Sequence, residues 1–312
     1  FKQKTAYEIA SCLVGSEMCI RDRDRKYTAK KLGFKKPTDN SMDSVSDRDF
    51  AIDFLYSSAV CAMHLSRLAE DFIIFNSDAF NLIDFNDSML TGSSIMPQKR
   101  NPVPLEHLRL KLSLAGGGAD QIINTMHNTP FADMNDSERE TQAVGFAVFD
   151  RLSTALPLLS GFVDSIKVNK ESAYRRINQS MATITELADH LSRTEKISFR
   201  LAHGVAHKLA YQALSLGSSL DQLDFNIFIK AFSEVVGWSP KTNEKTFRKI
   251  CSPENFIAVR KIPGGPAASS IAFSLKIYRK RLKESEGRVI SIRKFFEITS
   301  EECQNLVNTL IK

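Results

Sequence analysis

From Phe50 to Phe75 the chain is apolar on nearly every side, with Arg67, Glu70 and Asp71 near the end of the run. A helix of that kind cannot lie with one face in water; it has to sit inside a bundle. Asp47 or Asp49 is placed to cap its start. A second long helix is predicted after Pro102 and Pro104, because proline is tolerated in a first turn. It runs through Leu105, Leu108, Leu112 and Ile122. Gly116-Gly117-Gly118 falls in its middle and costs roughly 2–3 kcal/mol of helix propensity against alanine. A continuous helix is still expected, since small residues let neighbouring backbones approach closely. A third helix is predicted over Glu138–Ile166, with Phe146, Phe149, Leu152 and Leu159 on one stripe.

After Lys167 the pattern shortens. Helices are expected near Lys170–Ile177, Ile184–Thr194, Phe199–Leu216, Leu220–Phe232, Thr242–Ile250 and Ser269–Lys283, punctuated by Pro240, Pro253, Pro263 and Pro266. No sustained period-two pattern occurs, so the fold class is all-α. The expected division is a central bundle domain over 24–178, a smaller helical domain over 179–283 and a charged tail over 284–312. Ile290, Ile292, Phe295 and Phe296 leave room for a short docking helix in that tail. Residues 1–23 look foreign to the rest of the chain: Ser11 to Arg23 has neither a helical nor a strand period.

The bulk numbers narrow the function classes. A chain of 312 residues with 43% hydrophobic and 25% charged residues has the composition of a soluble globular protein. No apolar run is expected to reach membrane-spanning length, and no secretory signal is evident. Five scattered cysteines without metal-ligand spacing point to a reduced, cytoplasmic protein and to no metal. A net charge of +6 favours an anionic substrate. It is not concentrated into a nucleic-acid patch, and the Lys26–Lys36 stretch reads as solvated surface.

Chemistry concentrates in residues 92–102, Gly-Ser-Ser-Ile-Met-Pro-Gln-Lys-Arg-Asn-Pro. Gly92 supplies a hinge. Ser93 is a poor base unless a local field favours its alkoxide, and the amides of a Gly-Ser-Ser turn together with Lys99 can supply one. Ser94 adds a second hydroxyl. Asn101 precedes a helix start, where free amides and the helix dipole favour a carboxylate. Glu106, one turn into that helix, can orient a histidine. These are the parts needed to take a proton from a carbon beside a carboxylate and hold the charge that develops. The same turn also occurs in plain surface loops. A phosphate-cradling loop is excluded, because Lys99 lacks the preceding glycine.

The run Gly92–Pro102 resembles the signature of the fumarase/aspartase superfamily. Asn40-Ser-Met-Asp-Ser-Val-Ser-Asp-Arg-Asp-Phe50, His64-Leu-Ser-Arg-Leu-Ala-Glu-Asp71, Thr185-Glu-Leu-Ala-Asp189 and Phe199-Arg-Leu-Ala-His203 extend the likeness toward the argininosuccinate lyase branch, from about Asp24 to Arg281. The resemblance implies a long-helix bundle and an anti β-elimination that breaks a C–N bond and releases fumarate. It implies no cofactor, and a homotetramer whose sites are shared between chains. It makes Ser93 the base, Lys99 and Asn101 the holders of the fumaryl carboxylate, and Glu106 the partner of a histidine from another subunit.

Two departures carry weight. The family's Thr-His pair and Ser-Arg-Asn-type stretch do not occur before Asn40, so this chain alone is expected to be inactive and none of its histidines takes the catalytic role. After Pro130, where the branch has Tyr-Asn-Lys-Asp followed by Gln and Lys, this chain has Asp133-Met-Asn-Asp136, then Glu138, with Thr141 in place of lysine. Asp133, Asn135 and Glu138 are the candidates for gripping the far end of an aminodicarboxylate substrate. His127-Asn-Thr-Pro-Phe131 looks more like relatives that split other N-substituted aspartates, such as ethylenediamine-disuccinate lyase. The alternatives to an argininosuccinate lyase activity are therefore that chemistry, or a catalytically silent homologue.

Overall fold

The computed structural model describes residues 24–132 and 138–310. The segment 1–23 read as foreign lies outside the described residues. Two compact units are present: residues up to Val168 together with those from Ser291 onward, and Asn169–Ile290. The division falls ten residues ahead of the expected 178. Lys167–Val168 pairs back onto Ile83–Asp84, whereas Asn169 already caps the next helix.

Among the described residues the first unit begins with two short helices, α1 (Arg25–Lys31) and α2 (Ser41–Ser46). Asp24 caps α1 by accepting from the Lys26 and Tyr27 amides, and Asn40 caps α2 by accepting from Met42 at 2.9 Å. Helix α3 (Asp49–Asn76) comes next. Its start is fixed by Asp47, whose Oδ1 accepts from the Asp49 amide at 2.7 Å. Beyond it lie β1 (Ile83–Asp84), a single 3-10 turn at Asp87–Met89, β2 (Thr91–Gly92), β3 (Arg100–Asn101), α4 (Val103–Met126), α5 (Glu138–Ser165) and β4 (Lys167–Val168). The strands form two antiparallel ribbons, Ile83↔Val168 with Asp84↔Lys167, and Thr91↔Asn101 with Gly92↔Arg100. The sequence shows no period for them because two residues are too few to show one.

The core of this unit is the seam of α3, α4 and α5. On α4 the buried residues are Leu105, Leu108, Leu112, Ala115, Ala119 and Ile122, alternating steps of three and four. That is the heptad spacing that packs helices at shallow angles. Opposite them lie Leu55, Ala62 and Ala69 of α3 and Val144, Val148, Ala155, Leu159 and Phe162 of α5. Phe85 closes the end of the seam, edge-on to Phe162 at 5.0 Å and to Phe72 at 6.0 Å. The triple glycine does not break α4, and its members differ in role. A Cβ on Gly118 would lie 2.5 Å from Val148 Cγ2, while Gly116 and Gly117 face open space.

Two expectations for α5 are corrected. The stripe facing the core is Val144, Val148, Ala155, Leu159 and Phe162, whereas Phe146 and Phe149 are 68% and 57% exposed. Arg139–Ser165 is also long and apolar enough to cross a membrane by length and composition, since an 18-residue stretch within it has a mean hydropathy of 1.3. The reason is shared: α5 is apolar on both faces, and α3 and α4 cover one of them.

The second unit holds α6 (Lys170–Gln179), α7 (Ile184–Thr194), α8 (Phe199–Ser215), α9 (Phe225–Val236), α10 (Glu244–Cys251), α11 (Pro253–Ala258) and the start of α12 (Ala268–Leu310). Helix α9 begins five residues later than expected because Asp224 caps it, and Gly237 ends it at φ 93°. Its core stacks Phe228 on Phe247 at 4.8 Å. Buried Glu195 accepts from the Thr242 amide and hydroxyl and from the Lys241 amide. Buried Glu186 pairs with Arg193 at 2.8 Å and Arg260 at 3.0 Å. The tail set apart at 284–312 is helical: α12 runs unbroken past Lys283 to Leu310. Its far part docks in the first unit, where the Phe295 ring lies where a Cβ on Gly33 (φ 81°) would be, and Lys31 pairs with Glu302 at 3.2 Å.

Two outcomes test this packing. Gly118→Ala should destabilise the first unit by about 1–3 kcal/mol through overpacking, whereas Gly117→Ala should stabilise it by about 0.5–1 kcal/mol; urea unfolding of both variants checks the contrast. Burial pushes the Cys251 thiol up to about 12 against a smaller opposing effect of Arg248, so almost none of it is thiolate at neutral pH. Mass mapping after iodoacetamide treatment should find Cys251 unmodified in the folded chain and modified in urea.

Candidate active site

The ribbon β2–β3 brings the two ends of residues 93–99 together. Ser93 and Lys99 are the next residues beyond the Gly92↔Arg100 pair, so they face each other across the mouth of the loop. Strand alternation places successive side chains on opposite faces. Carried one residue past each strand, it puts Ser93, Lys99, Thr91 and Asn101 on one face of the ribbon and Arg100 on the other.

Within the loop the Ser93 Oγ accepts from the Ile95 amide at 3.3 Å and the Met96 amide at 3.2 Å. The turn is closed by the Lys99 amide donating to the Met96 carbonyl at 3.0 Å. Ser93 is half-buried; Gly92, Ser94 and Lys99 are exposed. A Cβ on Gly92 would meet nothing within 4 Å and its φ is not positive, so this conformation does not itself require glycine. Beyond β3, half-buried Asn101 leads into α4, whose start carries Pro102 and Pro104 and no side-chain cap. Pro102 and Pro104 carry no N–H, and the Leu105 and Glu106 amides donate to the Pro102 carbonyl at 2.8 and 3.4 Å, so among the described residues the Val103 amide is the one first-turn donor beside Asn101 without a partner.

Glu106 sits exposed in the first turn of α4, and its carboxylate has no hydrogen-bond or ion-pair partner among the described residues. Neighbouring His107 is exposed, and His127 Nδ1 lies 3.0 Å from its own helix's Asn124 carbonyl. His190 belongs to the second unit; burial, and then the Arg193 guanidinium, hold it below the ordinary imidazole range. Asp133 and Asn135 lie outside the described residues, and Glu138 opens α5. Ser93, Lys99 and Asn101 are thus gathered at one ribbon, with Glu106 one helical turn away, and among the described residues no side-chain hydrogen bond or ion pair links a histidine to them. Among those residues no group of three His, Cys, Asp or Glu can hold a metal ion.

Known proteins share these features. A family described as Lyase matches residues 1–117, a span that includes segment 1–23, and one described as Argininosuccinate lyase C-terminal matches residues 181–258. The chain is 40% identical over 264 residues to Argininosuccinate lyase 2 of Agrobacterium fabrum, covering 85% of this chain and 52% of that protein. It is 35% identical over 257 residues to Argininosuccinate lyase of Pelagibacter ubique, covering 82% and 54%. The chain is similar to argininosuccinate lyases of the fumarase/aspartase superfamily over most of its length.

It spans about half the length of the curated relatives it matches. In fold it is similar to EDDS lyase in complex with formate, with a TM-score of 0.85 at 21% identity over 99% of this chain and 62% of that one. The all-α reading of the bundle stands on that likeness and on the helices themselves.

Sequence reasoning missed the groups that hold the base of the family's signature loop. Arg100 pairs with Asp84 at 3.1 Å and with Asp87 at 2.6 Å, and also donates to the Phe85 carbonyl at 3.4 Å. Its charge is held more tightly than usual, first by the Asp84 hydrogen bond. The available signal was a cation inside the signature with two acids shortly upstream; only the ribbon register shows that they meet.

Proposed function

We propose that this chain carries the base and carboxylate-holding part of a C–N lyase site that splits argininosuccinate into fumarate and arginine. The observation that carries the reading is the Ser93 hydroxyl, accepting two backbone amides while facing Lys99 across the ribbon. Hydrogen bonds donated to an oxygen favour its charged form, so the turn biases Ser93 toward alkoxide. The alkoxide removes a proton from the carbon beside the substrate carboxylate. The electron pair moves into that carboxylate, whose added charge falls to Lys99 and Asn101. The C–N bond then breaks as the pair returns. The departing nitrogen takes a proton from an acid assembled with Glu106 and a histidine of another copy.

Assembly is part of this reading. Phe146 and Phe149 of α5 and Leu110 and Leu114 of α4 are large, apolar and exposed, which supports burial of this bundle face by other copies in a cytoplasmic homotetramer. The partners are then an anionic aminodicarboxylate and further copies of the chain, with no nucleic acid, membrane or cofactor. A second reading, a lyase for another N-substituted aspartate, draws on Asp133, Asn135 and Glu138 and on Thr141. Thr141 is 5% exposed on α5, so the position where the branch has lysine offers neither a long cation nor an open side chain. Losing paired polar contacts can shift discrimination by about 10⁴-fold.

The test is fumarate release by a protein spanning the whole family length, with argininosuccinate and other N-substituted aspartates as substrates. Fumarate from argininosuccinate supports the first reading; fumarate only from another substrate supports the second; none from any marks a silent homologue. In the active protein Ser93→Ala should lower kcat by about 10²–10⁴-fold, and unchanged turnover would place the base elsewhere. Lys99→Met should lose both affinity and rate, because the charge it faces is present in the substrate and grows toward the transition state.

A further inference from the structure

We infer that Arg100 is a positioning residue: its guanidinium, forked onto Asp84 and Asp87 behind the ribbon, fixes the mouth of the loop so that Ser93 and Lys99 face one bound molecule. The inference rests on the lyase reading for its effect on turnover, but its geometry stands by itself. Arg100 lies between Lys99 and Asn101, and alternation along β3 sends its side chain to the opposite face from theirs. There it meets three acceptors, Asp84 Oδ2 at 3.1 Å, Asp87 Oδ1 at 2.6 Å and the Phe85 carbonyl at 3.4 Å.

Those acceptors are themselves anchored. Asp84 is held in β1 by pairing with Lys167 and also accepts from the Phe85 amide at 2.8 Å. Phe85 is fully buried against Phe72 and Phe162. The chain of contacts therefore runs from the aromatic end of the helical core, through β1, to the back of the ribbon. Across from Arg100 stands Gly92, which has no side chain to compete for that face. The loop beyond contributes little to its own rigidity: Ile95 is 87% exposed and Met96 42%, and the turn is held by three backbone-amide hydrogen bonds.

A planar fork reaching two carboxylates and a carbonyl is a task for arginine, not for the single point charge of lysine. The ion pairs are exposed, so their contribution to global stability is small. Their removal releases the ribbon without unfolding the bundle, which separates positioning from general support.

Two measurements test this. In the 312-residue chain, Arg100→Ala should leave the melting temperature unchanged while hydrogen exchange at the Ile95, Met96 and Lys99 amides becomes about tenfold faster, one decade of local opening. Asp84→Asn with Asp87→Asn should reproduce the effect, and Arg100→Lys should recover part of the protection. In a protein spanning the whole family length, Arg100→Ala should lower kcat by about 10²-fold, the scale of a displacement near 1 Å at reacting groups. KM should change less, and Arg100→Lys should again be intermediate. Unchanged loop exchange in Arg100→Ala, or faster exchange with kcat intact, overturns the inference. Absence of fumarate from the parent protein sinks the lyase reading and leaves the exchange result to judge Arg100.

Discussion

The close approach of α4 to α5 at Gly118 is the constraint on which the first unit depends. Val148 occupies the place where any larger residue would put its Cβ. Leu105, Leu108 and Leu112 on one side and Ala119 and Ile122 on the other continue that contact along α4. Protein interiors are close-packed and transmit displacement instead of absorbing it. A shift at Gly118 would therefore move the whole of α4, including its N-terminal turn. That turn is where Asn101 enters and where Glu106 projects. The seam does no chemistry, yet it sets where the chemistry can be.

The ribbon is the second level of the same arrangement. Two-residue strands have almost no stability alone, so β2–β3 has to borrow rigidity. It does so at the C-terminal end of the signature, in two ways. Asn101 runs directly into α4, and Arg100 is tied to β1, which the buried Phe85 fastens to the core. The loop ahead of that end is exposed over residues 94–99, with Ser93 half-buried, and is held by amides donating to the Ser93 hydroxyl and the Met96 carbonyl. Local opening free energies are low for such segments and high for core helices. A lyase loop needs this combination, a mobile tip that admits substrate on a base that returns Ser93 and Lys99 to one place.

The parts of the fold legible in the sequence are those with many residues per signal. Helix α3 is visible because its apolar run is long, and α4 because the two prolines and the leucine spacing agree. The ends are misread where one side chain decides. Leu220 and Leu223 look like the start of α9, but they are buried ahead of it and Asp224 caps the helix. Phe146 and Phe149 read as core because aromatic residues dominate any hydrophobicity pattern. The core instead takes Val144 and Val148, whose smaller side chains fit against Gly118. The break expected at Lys283 rests on charge, and charge on a helix with apolar residues at Ile290, Ile292 and Phe295 marks only its solvated face. In the site, the residue types of Ser93, Lys99, Asn101 and Glu106 are legible because chemistry limits which side chains serve. Arg100 is not, since its importance comes from a register that only pairing reveals.

The second unit shows a different solution to the problem of holding charge. Glu186 and Glu195 are both nearly inaccessible to water, which would be prohibitive for lone carboxylates. Each is surrounded by donors: Arg193 and Arg260 for Glu186, and Thr242 with the Lys241 amide for Glu195. The Arg260 guanidinium carbon also lies over the Phe256 ring, 3.4 Å from its centroid. These networks are closed, with every charge facing a fixed partner. The signature loop is the reverse. The Lys99 ammonium and the Glu106 carboxylate are exposed and have no hydrogen-bond or ion-pair partner among the described residues. A protein that can satisfy its buried acids so fully elsewhere has the means to pair these two as well. Exposed ion pairs contribute little, so leaving these two open costs little stability and, on the proposed lyase reading, keeps their charge for a bound substrate.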